Sequence, residues 1–421
     1  MTATLTTHDP REFVRGLQQI LISDSKRIGF LFGAGTSLAV KKGASTASSV
    51  PGIDAMTKSV VEGVKEREFS DALNTIQEEL SEQKVPSHIE NILSLVIQKE
   101  QVVGKEKLCG LDRAGFSKLR EAIEKQVIEL VSVHKKKDEF IGDLVHCDFA
   151  QWVAHAHQRK FPVEIFTINY DYLLELGLEA HEVSYFDGFV GSFEPFFLNR
   201  LVEDKTAYPK HTKLWKLHGS LGWHVNERNR VVRGGRDDSK IIIFPSLLKY
   251  QDSKKQPYVS FMDRLSSFLR EDDGVLFVCG YSFGDQHIND VILNALGGNG
   301  TSHVVALYYD ERIEGKETKY LLTEDSDVTQ LAKSSSRLSV YGMRSAVIGG
   351  SHGNWMLESE PAKDDSILVD LYFDEDAAEP TEKTGKDEHA WTGEGKFRLP
   401  DFVAFTEFLR AMNVDAQSGR S

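Results

Sequence analysis

The chain has little cysteine: Cys109, Cys147 and Cys279 are the only three among 421 residues. They are odd in number, widely spaced and form no C-x-x-C pair. That excludes a four-cysteine zinc module within this sequence and fits a reducing, cytoplasmic setting. Excess basic charge is also missing. Lys and Arg number 50 against 64 Asp and Glu, a net charge of −14. Broad non-specific nucleic-acid binding, which needs a basic face, is disfavoured, although a local basic groove is left open. No apolar run is long enough to span a bilayer, so no membrane association is expected. The first ten residues lack a basic segment followed by an apolar one, so no secretory signal is visible. There is no internal repeat.

What remains is a globular composition, 40% hydrophobic and 27% charged, with length for two or three domains. Residues 10–26 read as a lead-in helix, with Phe13, Leu17, Ile20 and Leu21 on one face. The apolar run from Gly29 to Phe32 then ends in Gly33-Ala34-Gly35-Thr36-Ser37. A run of this kind bounded by glycines reads as a buried strand of a parallel sheet. Glycine permits a tight turn and close approach of a ligand. Thr36 and Ser37 can cap a following helix whose free N–H groups favour phosphate. The local reading is a strand–loop–helix that holds a nucleotide pyrophosphate; a plain tight connection is the alternative. The Gly- and Ser-rich stretch 41–52 reads as a mobile loop, either a lid or a surface excursion.

Residues 54–158 are polar and helical in pattern, with Leu73, Ile76 and Leu80, then Ile89, Ile92, Leu93 and Val96, then Leu119, Ile123, Val127 and Leu130 at helical spacing. Strand signals return at 163–168, 212–217, 241–244, 275–279 and 303–309, separated by helical segments at 172–178, 261–269 and 285–296. Alternation of this kind predicts a mostly parallel sheet with helices on both sides. Beyond residue 310, short strands are expected at 338–341, 345–348 and 367–373. An acidic linker is expected at 374–388, and a last helix with Phe402, Phe405, Leu409 and Met412 on one face.

Three further motifs fall where strands should end. In Thr167-Ile168-Asn169-Tyr170-Asp171, Asn169 is placed to address a ligand, and Asp171 is a ligand group or a helix cap. In Lys216-Leu217-His218-Gly219-Ser220, His218 is a general-base candidate or a structural histidine. In the stretch from Gly280 through Ser282 to Asp285, the first two can approach a ribose or phosphate, and Asp285 is equally a cap or a contact. His146, Cys147, His155 and His157 cluster in sequence, but helical spacing separates His155 from His157, so no metal site is expected.

Taken in order, Gly33-Ala34-Gly35-Thr36-Ser37, Thr167-Ile168-Asn169-Tyr170-Asp171, Lys216-Leu217-His218-Gly219-Ser220 and Gly280-Tyr281-Ser282-Phe283-Gly284-Asp285-Gln286-His287-Ile288 resemble the sirtuin family over roughly residues 27–310. The likeness is to its divergent bacterial branch. It implies an α/β, Rossmann-like NAD-binding domain (residues 1–53 and 159–310), an inserted helical subdomain (54–158) and a C-terminal extension (311–421). It implies that Gly33, Ala34, Gly35, Thr36 and Ser37 hold the pyrophosphate and that Gly280 and Ser282 line the adenosine side. Asn169 would contact the nicotinamide ribose and the nucleophile, His218 would be the base, and Asp171 would stabilise nearby positive charge. The departures are the missing zinc ribbon, the missing acyl-peptide strand, and Ser49-Val50-Pro51-Gly52-Ile53-Asp54 where the deacylases carry Gly-Ile-Pro-Asp-Phe-Arg. These point to water as acceptor, with NAD as substrate and no zinc. The whole resembles sirtuin-type NAD hydrolases of bacterial antiphage defence. The nearest likeness is the homo-oligomeric subunit that pairs with a HerA-type ATPase in Nezha-like systems. The alternatives are an NAD- or ADP-ribose-binding regulatory module, a deacylase or ADP-ribosyltransferase, and a nuclease contribution.

Overall fold

In a computed structural model of the chain, the described residues are 6–64, 68–156, 159–234, 256–298, 300–361, 367–376 and 391–418. The expected strand at 241–244, most of the acidic linker and His157 lie outside them.

The frame is one ten-stranded sheet. In chain order its strands are β1 (Thr7–His8), β2 (Arg27–Phe32), β3 (Glu164–Thr167), β4 (Tyr185–Phe186), β5 (Thr212–Lys216), β6 (Gly274–Cys279), β7 (His303–Leu307), β8 (Leu338–Tyr341), β9 (Ser345–Ile348) and β10 (Ser351–Trp355). In space they run β1-β10-β9-β8-β7-β6-β2-β3-β5-β4. From β8 to β4 every pair is parallel, and β8-β9-β10 is antiparallel. This is the mixed α/β, Rossmann-like architecture that the alternating strands and helices predict.

The central strands are apolar on both faces because both faces are covered. Phe30 and Phe32 pack on one side with α1 (Pro10–Ile22), α7 (Val145–His155) and the C-terminal helix Phe402–Ser418. Leu31, between them, faces the opposite layer, built from helices Tyr258–Arg270 and Gln286–Leu296. The alternation is the period of two that a strand imposes. Between β2 and β3 the chain makes a short α2 (Ala34–Leu38), then α3 (Ile53–Val64), α4 (Ser70–Glu82), α5 (Ile89–Val102) and α6 (Arg113–Val131). The last four enclose their own core around Val60, Ile76, Leu80, Ile92, Val96, Phe116 and Ile123.

Three features differ from expectation. Helix α7, inside the span read as the helical insertion, packs on the sheet: the Phe149 ring lies 5.0 Å from Phe30. The sheet continues past residue 310 through β8, β9 and β10. The run at 367–373 is not a strand. It forms a short 3-10 turn at Val369–Leu371, and the strand begins only at Phe373. Leu368 is 64% exposed, and pairing starts only at Phe373, opposite Phe397.

The C-terminal helix seats Phe402, Phe405, Phe408, Leu409 and Met412 in the sheet's own core. Phe405 is fully buried and its ring lies 6.4 Å from those of Phe30 and Phe277. Truncating a buried Phe removes its transfer energy and leaves a cavity. Phe405→Ala is expected to lower the unfolding free energy by about 3–5 kcal/mol, read by urea denaturation of the full chain. A loss below about 1 kcal/mol would show that the helix is not part of the core.

Candidate functional site

The register of the sheet brings the sequence motifs together. Phe32 is opposite Cys279 on one side and Thr167 on the other, and Thr167 is opposite Lys216. Strands β6, β2, β3 and β5 therefore end level with one another. The loops that follow, carrying Gly280, Gly33, Asn169 and His218, stand side by side at the carboxyl edge. That edge, at the point where strand order reverses about β2, is where open α/β sheets bind ligands.

The glycines serve first to let two loops touch. Gly33 N–H donates to Cys279 O at 2.9 Å and Gly35 N–H to Gly280 O at 2.9 Å. A Cβ on Gly33 would lie 2.4 Å from Gly280 O, and one on Gly280 would lie 2.5 Å from Thr36 N. Gly280 also has φ +64°, which other residues adopt at a cost. Ala34 is exposed at the tip and Gly35 is half-buried. The helix after the loop, α2, is a single short piece of five residues. Ser282 is exposed on the loop that follows Gly280.

Asn169 closes the other flank. Its Nδ2 lies 3.0 Å from Gly33 O, 3.1 Å from Thr36 Oγ1 and 2.8 Å from Ser37 Oγ. Thr36 in turn donates its hydroxyl to Gly33 O. Asp171 accepts the Ser37 hydroxyl at 2.7 Å through Oδ2 and the Leu173 N–H at 3.0 Å through Oδ1. It is thus a helix-start acceptor and a tie to the glycine loop at once. Beneath it, the buried Lys216 ammonium donates to Asp171 O and, at 2.7 Å, to Glu175.

His218 is buried, and its Nε2 lies 3.0 Å from Asp285 Oδ2, with side-chain exposures of 7% and 9%. The Tyr170 ring is 6.5 Å away. Tyr170 donates its hydroxyl to Glu90 of α5 at 3.3 Å. Burial first, and then the Glu90 carboxylate, hold the Tyr170 hydroxyl well above its ordinary pKa, so it stays a neutral donor. The helical insertion therefore reaches the site through this hydrogen bond. Glu90 and the His218–Asp285 contact are not legible in sequence, because neither signals which loops the sheet order makes neighbours.

The stretch after α2 is fastened rather than loose. Val50 N–H donates to Ser37 O at 2.9 Å, Ser49 Oγ to Leu38 O at 3.1 Å, and Lys41 pairs with Asp148 at 2.7 Å. A cavity of about 410 Å³ nearby is lined by Tyr172, Glu175, Lys216, Ser220, Trp223 and Arg233 among others. Within its walls Lys216 pairs with Glu175 and Arg233 with Asp187.

Among the described residues, no group of three or more His, Cys, Asp and Glu is placed to hold a metal ion. His155 Nδ1 lies 2.7 Å from Gln151 O. His146 is buried 5.4 Å from the Phe402 ring. Burial lowers its pKa from 6.5 to about 4, against a smaller opposing pull from Asp171. The folded chain thus resists a proton that the unfolded chain accepts below pH 6.5. Stability from this group is complete above 6.5 and falls as pH drops towards 4. Between pH 7 and pH 5 the expected loss is about 2 kcal/mol. His146→Leu should flatten that slope in paired denaturation curves; an unchanged slope would show that His146 does not titrate on unfolding.

Among the described residues, no helix is long and apolar enough to cross a membrane. No curated protein matches the chain. Residues 163–330 match the model of the SIR2-like domain. The matched span contains Asn169, Asp171, His218, Gly280, Ser282 and Asp285; the Gly33–Ser37 loop precedes it and joins it through the sheet. Over those residues the chain is similar to a family of NAD-dependent enzymes, and its sheet has the Rossmann-like form that this similarity implies.

Proposed function

We propose that this protein hydrolyses NAD to ADP-ribose and nicotinamide in the crevice above β6, β2, β3 and β5. One observation carries the reading: Asn169 and His218 stand just past the ends of adjacent strands, level with the glycine loop that Asn169 itself holds. The exposed tip at Ala34 and the loop of Gly280 and Ser282 would take the pyrophosphate and adenosine side.

The bond that breaks joins ribose C1′ to the pyridinium nitrogen. Its electron pair passes to that nitrogen, so nicotinamide leaves neutral and no general acid is needed. Positive charge builds on the ribose as the bond lengthens, and a water oxygen adds to C1′. The water's proton passes to His218, directly or through a ribose hydroxyl. With Nδ2 of Asn169 committed to Gly33, Thr36 and Ser37, its carbonyl oxygen is the atom that accepts from the water. Asp171 has both oxygens engaged, so its part is to position Ser37 and the Asn169 loop.

In this reading the activity depletes NAD in the cytoplasm during phage infection, as an abortive defence. A HerA-type ATPase partner, or contacts within a homo-oligomer, would hold it silent or release it. The helical insertion is suited to such control because Glu90 bonds Tyr170 beside His218. The three contacts of Asn169 Nδ2 also favour a second reading, a module that binds NAD or ADP-ribose without turning it over.

Nicotinamide release, followed for the chain alone and with its partner ATPase, separates the two. Asn169→Ala and His218→Ala should each cut turnover by about 10²–10⁴-fold while the melting temperature stays within a few degrees. Wild-type rates in either variant would refute the assigned roles, and tight calorimetric binding without release would favour the binding module. Mass spectrometry of the products distinguishes free ADP-ribose from an acetylated product or a modified protein, the marks of deacylation and ADP-ribosyl transfer.

A further inference from the structure

We propose that the cavity of about 410 Å³ lined by helix Leu173–Ala180 and the 3-10 stretch Val133–Glu139 is a second ligand site, distinct from the crevice, and that it takes a phosphorylated monosaccharide. The sugar hydroxyls would meet Ser220 and Glu175, and the phosphate would meet Lys135 and Lys137.

The cavity has the size of a small-molecule pocket, which is roughly 300–1,000 Å³. Among the described residues its lining includes none of Gly33 to Ser37, Asn169, His218 or Gly280 to Asp285. It does include two residues with buried polar atoms that the fold leaves unused. Ser220 is 1% exposed, and among the described residues its hydroxyl has no hydrogen-bond partner. Glu175 accepts from Lys216 through Oε1 at 2.7 Å, while its Oε2 is buried without a partner. Burying such atoms unpaired costs stability that the hydroxyl groups of a ligand would offset.

The walls select among ligands by charge. A ligand carboxylate beside Glu175 would face a like charge. A ligand ammonium would face Lys216, whose Nζ donates to Asp171 O and Glu175. A neutral hydroxyl suits both unused atoms, since it donates to the carboxylate oxygen and either donates to or accepts from the serine. Tyr172 and Trp223 give the same wall an apolar surface for the C–H face of a sugar. Arg233 is already paired with Asp187, and Glu179 accepts the Tyr185 hydroxyl at 3.1 Å.

The two lysines differ from these paired groups. Lys135 and Lys137 line the cavity, are exposed, and form no ion pair among the described residues. Lysine binds phosphate as a point charge, without the fixed fork that arginine needs. Two unpaired ammonium groups beside a hydroxyl-binding interior match a sugar phosphate better than a neutral sugar or a bare anion.

The test is titration calorimetry of the full chain with ribose 5-phosphate and glucose 6-phosphate. Ribose, glucose and inorganic phosphate form separate arms, and each titration is repeated in saturating ADP-ribose. At least one sugar phosphate should bind about tenfold or more tighter than its parent sugar and than inorganic phosphate. ADP-ribose should leave that affinity unchanged. The double variant Lys135→Glu, Lys137→Glu should weaken it by about tenfold or more, and Ser220→Ala by about threefold to tenfold. Ser220→Ala removes a hydroxyl without a partner, so its melting temperature should match or exceed that of the wild type. That separates a lost ligand contact from a damaged fold. No binding of either sugar phosphate would overturn the inference. Inorganic phosphate binding as tightly as the sugar phosphate would do so too, marking an adventitious ion only. So would binding that ADP-ribose abolishes, which would make the cavity part of the crevice, or binding that either variant leaves unchanged. Sugar phosphate binding with these variant effects, in a chain that releases no nicotinamide with its partner, would uphold the inference and sink the hydrolase reading.

Discussion

Everything at the carboxyl edge of the sheet depends on backbone touching backbone between two loops. Gly33 and Gly35 donate to the carbonyls of Cys279 and Gly280, and no Cβ fits at Gly33 or Gly280 without a steric clash. The contact joins the end of β2 to the end of β6, two strands far apart in sequence. It sets the height of the loop on which Asn169 then closes. A phosphate-binding reading explains glycine only as room for a ligand; here the same glycines are spent partly on each other.

From that contact the site extends as a chain of buried polar groups, each satisfied by the next. Asn169 holds Thr36 and Ser37, Ser37 reaches Asp171, Asp171 O takes the Lys216 ammonium, and Lys216 reaches Glu175. Burying such groups costs several kcal/mol each unless they are paired. A network of this kind is a costly way to make a fold stable and an effective way to make its geometry unique. Burial raises the pKa of Glu175 before the Lys216 charge pulls it back. The arrangement therefore depends on Lys216 remaining in place. Since Lys216 ends β5, two residues before His218, the same strand end that fixes the histidine also supports the asparagine loop.

Much of this was legible in the sequence where chemistry is local. The apolar run from Gly29 to Phe32 and the short runs at 338–341 and 345–348 announce strands because buried strands need little else. The amphipathic face of Phe402, Phe405, Leu409 and Met412 announces the last helix. What escaped is what adjacency creates. Strand β10 is Ser351-His352-Gly353-Asn354-Trp355, without an apolar signature, and it exists because β9 and β1 flank it. Asp285 reads as a helix cap, and it is one. Its approach to His218 arises only because β6 and β5 lie on either side of β2 and β3, which brings the loops at their ends towards one crevice.

The helical insertion poses the remaining physical question, how a separate core can influence chemistry on the sheet. It is not an independent body beside the site. Its core includes Leu173, Leu176 and Leu221, which flank the Asp171 and His218 loops in sequence, and its α5 supplies Glu90 to Tyr170. Moving α5 would therefore disturb an apolar contact and a hydrogen bond together, both within a few residues of Asn169 and His218, the groups proposed to react. A single hydrogen bond from a neutral phenol to a carboxylate contributes about 1.5–3 kcal/mol net, little enough to be exchanged if the insertion shifts. The apolar core around it is far harder to disturb. That difference makes the Glu90–Tyr170 contact, rather than the packing behind it, the element on which control of the site would turn.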